Sequence, residues 1–449
     1  MKDVMKFRIA ISALLLTAGS ISYGQAIPAG SPPTPISSIG SSAPNLSAFD
    51  GVLHYALSAS EVIQFGYYGA GQVTNSTVLS GDVSYTGKSE IRPFSLTFAG
   101  GVILANQSGQ GTSYFSDVSV SQGYVTRHWD FNIADSFSFL PQSPTTGLSG
   151  IAGVGDIGSL PVPTPVEGPA GGIFSIAGNR YANTLTGSAE RQISRDTSIS
   201  GSGSWSVLHF LDDNGNNGGL DSSQVSGTVA ANRRLDARSS VSLAAAYVAI
   251  NYSGSNAGIG EPDIESRTIS LSYQRVLTRT ISIGVSGGPQ WTSSSNSTYI
   301  PSSLNASGSA NVAYTRGLTS ASVAYSHGVN AGSGVLPGAI SDSLFASVGH
   351  TYGRKWMTSL TAGYTRSSGL TQLLTGGPTA PVHEVYDTTF GGVQVTRGFG
   401  VHFSGYASYT VQDQSNNFPL GAQNALNGTS QTFGIGVSYT PRSTRLGQF

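Results

Sequence analysis

The chain of 449 residues contains no cysteine, which excludes a disulfide framework and a thiolate metal site. Charged residues make up only 10% of the sequence, whereas soluble globular proteins carry roughly 25%. The formal net charge of -1 provides no basic patch of the kind that nucleic acid requires. These shortages argue against several soluble domains and against a nucleic-acid partner.

Long apolar runs are absent beyond the N-terminus. A basic start, the apolar run Ile9–Leu16 and small residues before Gly24 predict a signal peptide over residues 1–24, with cleavage after Gly24 or Ala26. A membrane-anchoring helix is the weaker alternative, because the run is shorter than the roughly 20 residues that a span requires. Residues 25–50, rich in Pro and Ser, are expected to form a disordered periplasmic lead-in.

Strict alternation of apolar and polar residues is what the sequence has in abundance. Ile269, Leu271 and Tyr273 alternate with Ser and Gln, and a few polar residues around Arg279 lead to a second alternating run, 281–291. A period of two residues predicts β-strands, and the short connection predicts an antiparallel hairpin. The uncharged small-polar face suits water and the apolar face suits lipid, which is the pattern of a transmembrane barrel strand.

Repetition of this hairpin predicts an all-β fold, an antiparallel up-and-down transmembrane barrel over residues 51–449. About eighteen strands are expected, an even number that leaves both termini in the periplasm, and a barrel of that size can enclose an aqueous channel. The predicted strands are 52–66, 78–86, 94–105, 114–126, 129–139, 181–193, 197–209, 222–234, 239–252, 265–277, 281–293, 303–316, 319–330, 340–352, 356–367, 384–397, 400–413 and 429–440.

Short and long connections alternate between these strands, and short turns of outer-membrane barrels lie in the periplasm. One of the predicted short turns is 397–399. The turns and their flanks carry the predicted periplasmic rim: Arg195, Arg238, Arg279, Arg316, Arg354 and Arg397. The longest connection, 141–179, contains several apolar residues, and long loops of this kind are usually functional or disordered. Two positions stay open for it: inside the lumen as a constriction or plug, or over the outer mouth.

Polar side chains on the inward face are expected to keep water in the lumen. The lumen-lining candidates are Glu190, Ser272, Gln274, Ser286, Gln290 and Asn311. A lining with few charges predicts weak ion selectivity. Outward aromatic residues near strand ends are expected to form girdles at the membrane interfaces: Tyr273, Trp291, Tyr314, Tyr325, Tyr364, Tyr409 and Tyr439.

The catalytic and metal-binding motifs that the sequence partly matches lack the surrounding residues or structure that their chemistry requires. The G-x-S-x-G match at 284–288 lies inside a predicted strand with no helix after it, so the strained turn that exposes a nucleophile is missing. Asp212, Asn214 and Asn216 partly resemble a calcium loop but lack its Gly and Glu positions, which leaves a weak metal site or a hydrophilic loop. We therefore expect neither an enzyme nor a cofactor.

The last predicted strand carries outward Phe433, Ile435 and Val437, the kind of C-terminal strand by which the barrel-assembly machinery recognises its substrates. Stretches throughout the chain resemble a family of uncharacterised outer-membrane β-barrel proteins of Acidobacteria. They are 146–156, 202–210, 352–357 and 441–449. The resemblance covers nearly all of the chain after the signal peptide and implies fold and location in the outer membrane of a Gram-negative cell.

The sequence favours a passive or gated channel for polar solutes, saccharides among them. The alternative is a closed structural or adhesive surface barrel without transport activity. The expected partners are outer-membrane lipid, lipopolysaccharide and the assembly machinery, while the solute and the oligomeric state stay open.

Overall fold

A computed structural model describes residues 52–66, 73–87, 89, 91–105, 112–140, 173, 179–211, 219–253, 263–332, 335–353, 355–371, 383–417, 427–441 and 444–445. Several predictions fall outside these residues: the signal peptide 1–24, the lead-in 25–50, Arg354, the loop residues Asp212, Asn214 and Asn216, and the 141–179 connection apart from Ile173 and Asn179. Within the described residues, no helix is long and apolar enough to cross a membrane.

Eighteen long strands and one of two residues form a single sheet in the described part of the chain. They are β1 (Val52–Phe65), β2 (Val73–Thr86), β3 (Phe94–Ala105), β4 (Ser113–Val125), β5 (Trp129–Leu140), β6 (Arg180–Gln192), β7 (Thr197–Phe210), β8 (Asp221–Arg234), β9 (Ser239–Ser253), β10 (Asp263–Val276), β11 (Ile281–Ser293), β12 (Ser303–Arg316), β13 (Thr319–Asn330), β14 (Ala339–Tyr352), β15 (Trp356–Gly369), β16 (Val385–Phe399), β17 (Phe403–Asn416), β18 (Gly428–Tyr439) and β19 (Thr444–Arg445).

Each long strand pairs antiparallel with its neighbours in the chain, and β18 pairs with β1, where Val62 lies opposite Gly434. This last pairing closes the barrel and removes the exposed sheet edges. β19 pairs with Val52 and Leu53 at the start of β1. The predicted antiparallel barrel of about eighteen strands is confirmed.

The alternation along β10 shows why these residues form a barrel wall. Ser270 and Ser272 are buried on the concave side, whereas Ile269 and Leu271 are 48% and 57% exposed on the convex side. Because the side chains of a strand alternate between the two faces of the sheet, the polar residues line the inside and the apolar ones form the outside. Much of the barrel wall follows the same division, and the apolar convex surface is suitable for hydrocarbon.

Two predicted boundaries are wrong. β2 begins at Val73 rather than 78, because polar Thr74 and Ser76 occupy its inward face while the strand pairs with the end of β1. The turn between β16 and β17 is not 397–399 but 400–402, since β16 continues to Phe399. Gly400 has a φ of 76°, a left-handed backbone that glycine adopts without strain.

Candidate functional site: the lumen and its outer mouth

Serine hydroxyls line much of the lumen wall and bond to one another across neighbouring strands. The hydroxyl oxygens of Ser286 and Ser309 are 2.7 Å apart, as are those of Ser322 and Ser347. Ser272 lies opposite Ser242 on one side and Ser286 on the other. A hydroxyl has one donor and two acceptor sites, so such rows can still bond to water or solute in the lumen.

The structure places the six lumen-lining candidates on the inward face of their strands, but it does not gather them into one site. Gln274 and Asn311 follow the alternation of β10 and β12, and the Asn311 amide lies over Gly284 of β11. Ser286 and Gln290 are buried on β11. Glu190 stands opposite Asp130 near the short-turn end of β6.

Four carboxylates share one wall of the lumen, on β2, β4, β5 and β6. Asp82 lies opposite Ala99, which lies opposite Asp117, so the two aspartates are in one row, about 10 Å apart across two strand spacings. Asp130 and Glu190 form a second, directly opposed pair. Among the long strands β1–β18 the inward arginines are Arg180 and Arg234, at the long-loop end of β6 and the short-turn end of β8. We call the four carboxylates the acidic wall: Asp82, Asp117, Asp130 and Glu190.

Apolar side chains fill the end of the lumen where the long connections lie, beside β7, β9 and β10. We call this end the outer end. Leu208, Val248, Ile250, Tyr252 and Ile264 all have inward positions. They pack with residues from connections between strands into one buried cluster, the mouth core: Leu208, Phe210, Leu220, Val248, Ile250, Tyr252, Ile264, Ile300, Val329, Ala331 and Leu370. The outer mouth is therefore narrowed by a hydrophobic core inside the barrel. A smaller inward apolar cluster lies on β1–β3, formed by Val62, Val78 and Ile103.

A hairpin end enters the lumen to complete the mouth core. The ladder between β12 and β13 ends at Gly308 and His327, although β13 continues to Asn330. Beyond that point the Val329 N–H donates to Gln290 Oε1 at 3.1 Å. Gln290 is on β11, which is separated from β13 by β12. The end of β13 thus leaves the wall and lies over the inner face of β12. We call residues 328–332 with 335–340 the inward hairpin.

Specific contacts hold the inward hairpin in place. The Tyr252 hydroxyl donates to the Ala331 carbonyl at 3.1 Å, and Tyr252 is 2% exposed. Asn330 Nδ2 donates to the Ser341 hydroxyl at 2.6 Å. Gly338 has a φ of 77°, and a Cβ there would stand 2.3 Å from Ile264 Cδ1. The close approach of hairpin and wall therefore requires glycine at this position.

One residue of the long 141–179 connection reaches the same region. Ile173 is 1% exposed and packs with Val335, Leu336, Ala339 and Tyr386. Tyr386 has an inward position on β16. At this one residue the connection lies within the outer end of the barrel, against the inward hairpin.

The predicted rim arginines that the structure describes all lie at the short-turn end. Arg195, Arg238 and Arg279 are exposed in the turns after β6, β8 and β10, and Arg316 ends β12. Arg397 is on β16, before the corrected turn, with its guanidinium 4.9 Å from the Trp356 ring centre. The predicted girdle residues occupy outward positions, and several bond to outward polar groups, as Tyr325 does to Asp342 at 2.7 Å.

Sequence reasoning missed Asp82, Asp117 and Asp130 of the acidic wall as well as the mouth core. The aspartates could have been found from the alternation of β2, β4 and β5, since each has the parity of the inward serines of its strand. The outer half of β9, which is apolar on both faces around Val248, was the available signal for the mouth core.

The structure offers no counterpart of a catalytic centre for the G-x-S-x-G match. Ser286 is in the middle of β11 and its hydroxyl bonds to Ser309. Among the described residues, no group of three or more His, Asp or Glu side chains is arranged to hold a metal ion.

Comparison with solved structures gives weak likenesses over most of the chain. Pseudomonas aeruginosa OccK2 (OpdF) aligns with a TM-score of 0.44 at 10% identity, over 88% of this chain and 98% of that one. The siderophore receptor PirA from Pseudomonas aeruginosa gives a TM-score of 0.42 at 9% identity, over 88% and 81%. The ferric citrate transporter FecA gives 0.37 at 10% identity, over 81% and 60%. No protein-family model and no curated protein matches the chain.

Proposed function

We propose that the chain forms an outer-membrane channel for small polar solutes, with passage controlled at the outer mouth. One observation carries this proposal: a closed barrel of eighteen long strands has an apolar convex face and a lumen wall of Ser, Thr, Asn and Gln. An apolar exterior is stable in lipid, and a polar interior of this diameter holds water.

The lining indicates the class of solute. Rows of hydroxyls and amides offer neutral hydrogen bonds that suit sugars and other uncharged polar molecules. The acidic wall adds negative potential on one side of the lumen, because its carboxylates outnumber the inward arginines of the described strands. Rings or walls of carboxylates favour cations in channels. We therefore expect a modest preference for cations over anions, which refines the weak selectivity expected from the sequence.

Reconstitution into planar bilayers tests the proposal. The purified full chain should give stepwise conductance, and its reversal potential in a KCl gradient should show cation preference. Liposomes that contain the protein should swell in small sugars and not in large ones. A strong anion preference, or the absence of both current and swelling from wild type and from mouth-core variants alike, would contradict a channel.

The closed structural barrel remains the second candidate, and the mouth core is the observation that favours it. A barrel sealed for stability alone would stay closed after the mouth core is disrupted. A channel with a gate would open. Conductance of mouth-core variants therefore decides between the two functions.

A further inference from the structure

Most strands that run toward the short-turn end finish on the convex face with arginine or tyrosine, and β16 finishes with Phe399 after outward Arg397. On four successive strands of this direction, β6, β8, β10 and β12, the residue is arginine. On β18, β2, β4 and β14 it is tyrosine: Tyr439, Tyr85, Tyr124 and Tyr352. The arginines therefore form an arc on one side of the barrel, the arginine arc: Arg191, Arg233, Arg275 and Arg316.

Register fixes the outward direction and the spacing of the arc. Arg191 lies opposite Trp129 and Arg275 lies opposite Ile283, both outward residues. All four arginines are exposed. Two strand spacings separate each from the next, so they follow one another at about 10 Å along roughly 30 Å of the barrel's edge. This is a continuous band of positive charge just beyond the apolar surface.

The arc differs from the outward arginines at the opposite end of the barrel. There Arg267 pairs with Glu265 at 3.3 Å, and Arg366 lies 4.0 Å from Asp387. In the part of the chain that the structure describes, no carboxylate oxygen lies within 4.0 Å of an arc guanidinium. The carboxylate of Asp196 pairs with inward Arg234 instead. Within the described residues, the arc thus carries positive charge without a salt bridge to a carboxylate.

A turn carboxylate that interacts electrostatically with the arc is already engaged in its own turn. Asp236, between β8 and β9, has its pKa lowered by hydrogen bonds from the Ser239 side chain and from backbone N–H groups, with a smaller effect of Arg275. Its oxygen accepts from the N–H groups of Arg238 and Ser239 at 2.6 and 2.8 Å. It is therefore held in its own turn and leaves the arc guanidinium free to bind another anion.

Aromatic rings set the level of the arc relative to lipid. The Arg191 guanidinium lies 5.4 Å from the Trp129 ring centre. Tryptophan concentrates at the membrane–water interface, and long cationic side chains extend to the headgroups from an apolar surface. Phosphate is the anion found at that level, and the guanidinium fork binds two phosphate oxygens at once.

We propose that the arginine arc binds the phosphate groups of anionic phospholipids in the membrane leaflet on the short-turn side. The proposal rests on the membrane insertion proposed above but not on solute passage. The arc would hold a shell of anionic lipid beside β6–β12, where outward arginines follow on four successive strands of one direction. Elsewhere on this edge the arginines beside outward rings are single, with Arg92 over Tyr124 and Arg397 over Trp356, so the lipid preference there should be weaker.

Spin-label spectroscopy of vesicles tests this directly. The full chain is reconstituted in phosphatidylcholine with traces of spin-labelled phosphatidylglycerol or spin-labelled phosphatidylcholine, and the motionally restricted fractions are compared. Wild type should restrict phosphatidylglycerol about threefold more strongly at low salt, and the preference should fall at high salt because exposed charges are screened. The quadruple variant Arg191→Gln, Arg233→Gln, Arg275→Gln and Arg316→Gln should bring the ratio close to one.

Two matched double variants distinguish the effect of the arginine arc on lipid preference from the effect of surface charge elsewhere. Arg233→Gln with Arg275→Gln should remove about half of the preference, whereas Arg267→Gln with Arg366→Gln at the opposite end should leave it unchanged. A heat-modifiable gel shift establishes that each variant is folded. Equal restriction of both lipids by wild type, or an undiminished preference in the folded quadruple variant, overturns the proposal. Conductance of the same preparations reports separately on the channel.

Discussion

The two ends of β9 show the main contrast within the barrel. On its inward face, Ser240 and Ser242 near the short-turn end give way to Val248, Ile250 and Tyr252 near the outer end. The serines belong to the polar wall, and the three larger residues belong to the mouth core. The inward face of one strand therefore contributes both to the polar wall and to the apolar mouth core.

This contrast indicates that different interactions stabilise the barrel wall and close the outer mouth. The ladder hydrogen bonds of β9 to β8 and β10 run through both halves, so the wall does not depend on the mouth core. The mouth core depends on burial of apolar area, at about 25 cal/mol per Å². A change at the outer end should thus alter passage while the barrel remains folded.

The largest effect is expected when the same carboxylate is placed in each half of β9. Val248→Asp buries an unpaired charge in the mouth core, which costs several kcal/mol, so the inward hairpin should leave and conductance should rise severalfold. Ser242→Asp, the matched variant on the same face, should leave the conductance nearly unchanged and increase cation preference. Single-channel recording measures both variants.

The outcome is informative in each direction, provided that both variants show the heat-modifiable shift of a folded barrel. Unchanged conductance of Val248→Asp would mean that the mouth core does not limit passage. Equal increases in both variants would show that the two halves of β9 are alike in function.

Removal of carboxylates from the polar wall separates their effect on permeation from that of the neutral hydroxyls. Asp82→Asn together with Asp117→Asn removes the row of two aspartates from the acidic wall without changing side-chain volume. We expect the permeability ratio of K⁺ to Cl⁻ to fall, with conductance to sugars retained, since the neutral hydroxyls remain. Reversal potentials in a KCl gradient provide the measurement.

Asp387→Asn is the control for this pair, because Asp387 lies on the convex face, where it accepts from the Tyr364 hydroxyl at 2.6 Å. An equal loss of cation preference in the control would assign selectivity to the outer surface rather than to the lumen.

The sequence predicted the barrel well because strand formation leaves a local record. Alternation of period two and the shortage of charge identify each strand without knowledge of its neighbours, as in Ile269–Leu271. The acidic wall needs more than alternation, since Asp82 and Asp117 come into one row only through the register of β2, β3 and β4. A shift of one residue would move either aspartate to the other face.

Apart from the apolar outer half of β9, the mouth core was beyond the sequence for a different reason. Its members Ile300, Val329 and Leu370 come from separate connections or strand ends, and they meet only after the barrel has closed. The departure of β13 from β12 beyond His327 has no local signal in a strand that otherwise alternates normally. Long-range packing, rather than propensity, decides where this hairpin end lies.

The smallest effect is expected from loss of one of the hydrogen bonds that join the barrel wall to the inward hairpin, the bond to Gln290. Gln290 donates to the Ser266 hydroxyl at 2.9 Å and accepts from the Val329 N–H at 3.1 Å. Gln290→Leu leaves that buried N–H without an acceptor, at a cost of about 1–3 kcal/mol. Hydrogen exchange at Val329, followed by mass spectrometry of the 326–332 peptide, should accelerate by about tenfold or more.

Gln274→Leu provides the comparison, since Gln274 is also an inward glutamine but lies near the short-turn end of β10. It should leave exchange at Val329 unchanged, and both variants should retain the exchange protection of β11. Since Gln290 contacts the hairpin through one bond and the mouth core contacts it through many apolar side chains, the open fraction should rise less for Gln290→Leu than for Val248→Asp. The reverse order would indicate that the hairpin is held by its polar anchor and that the apolar cluster only fills the space around it.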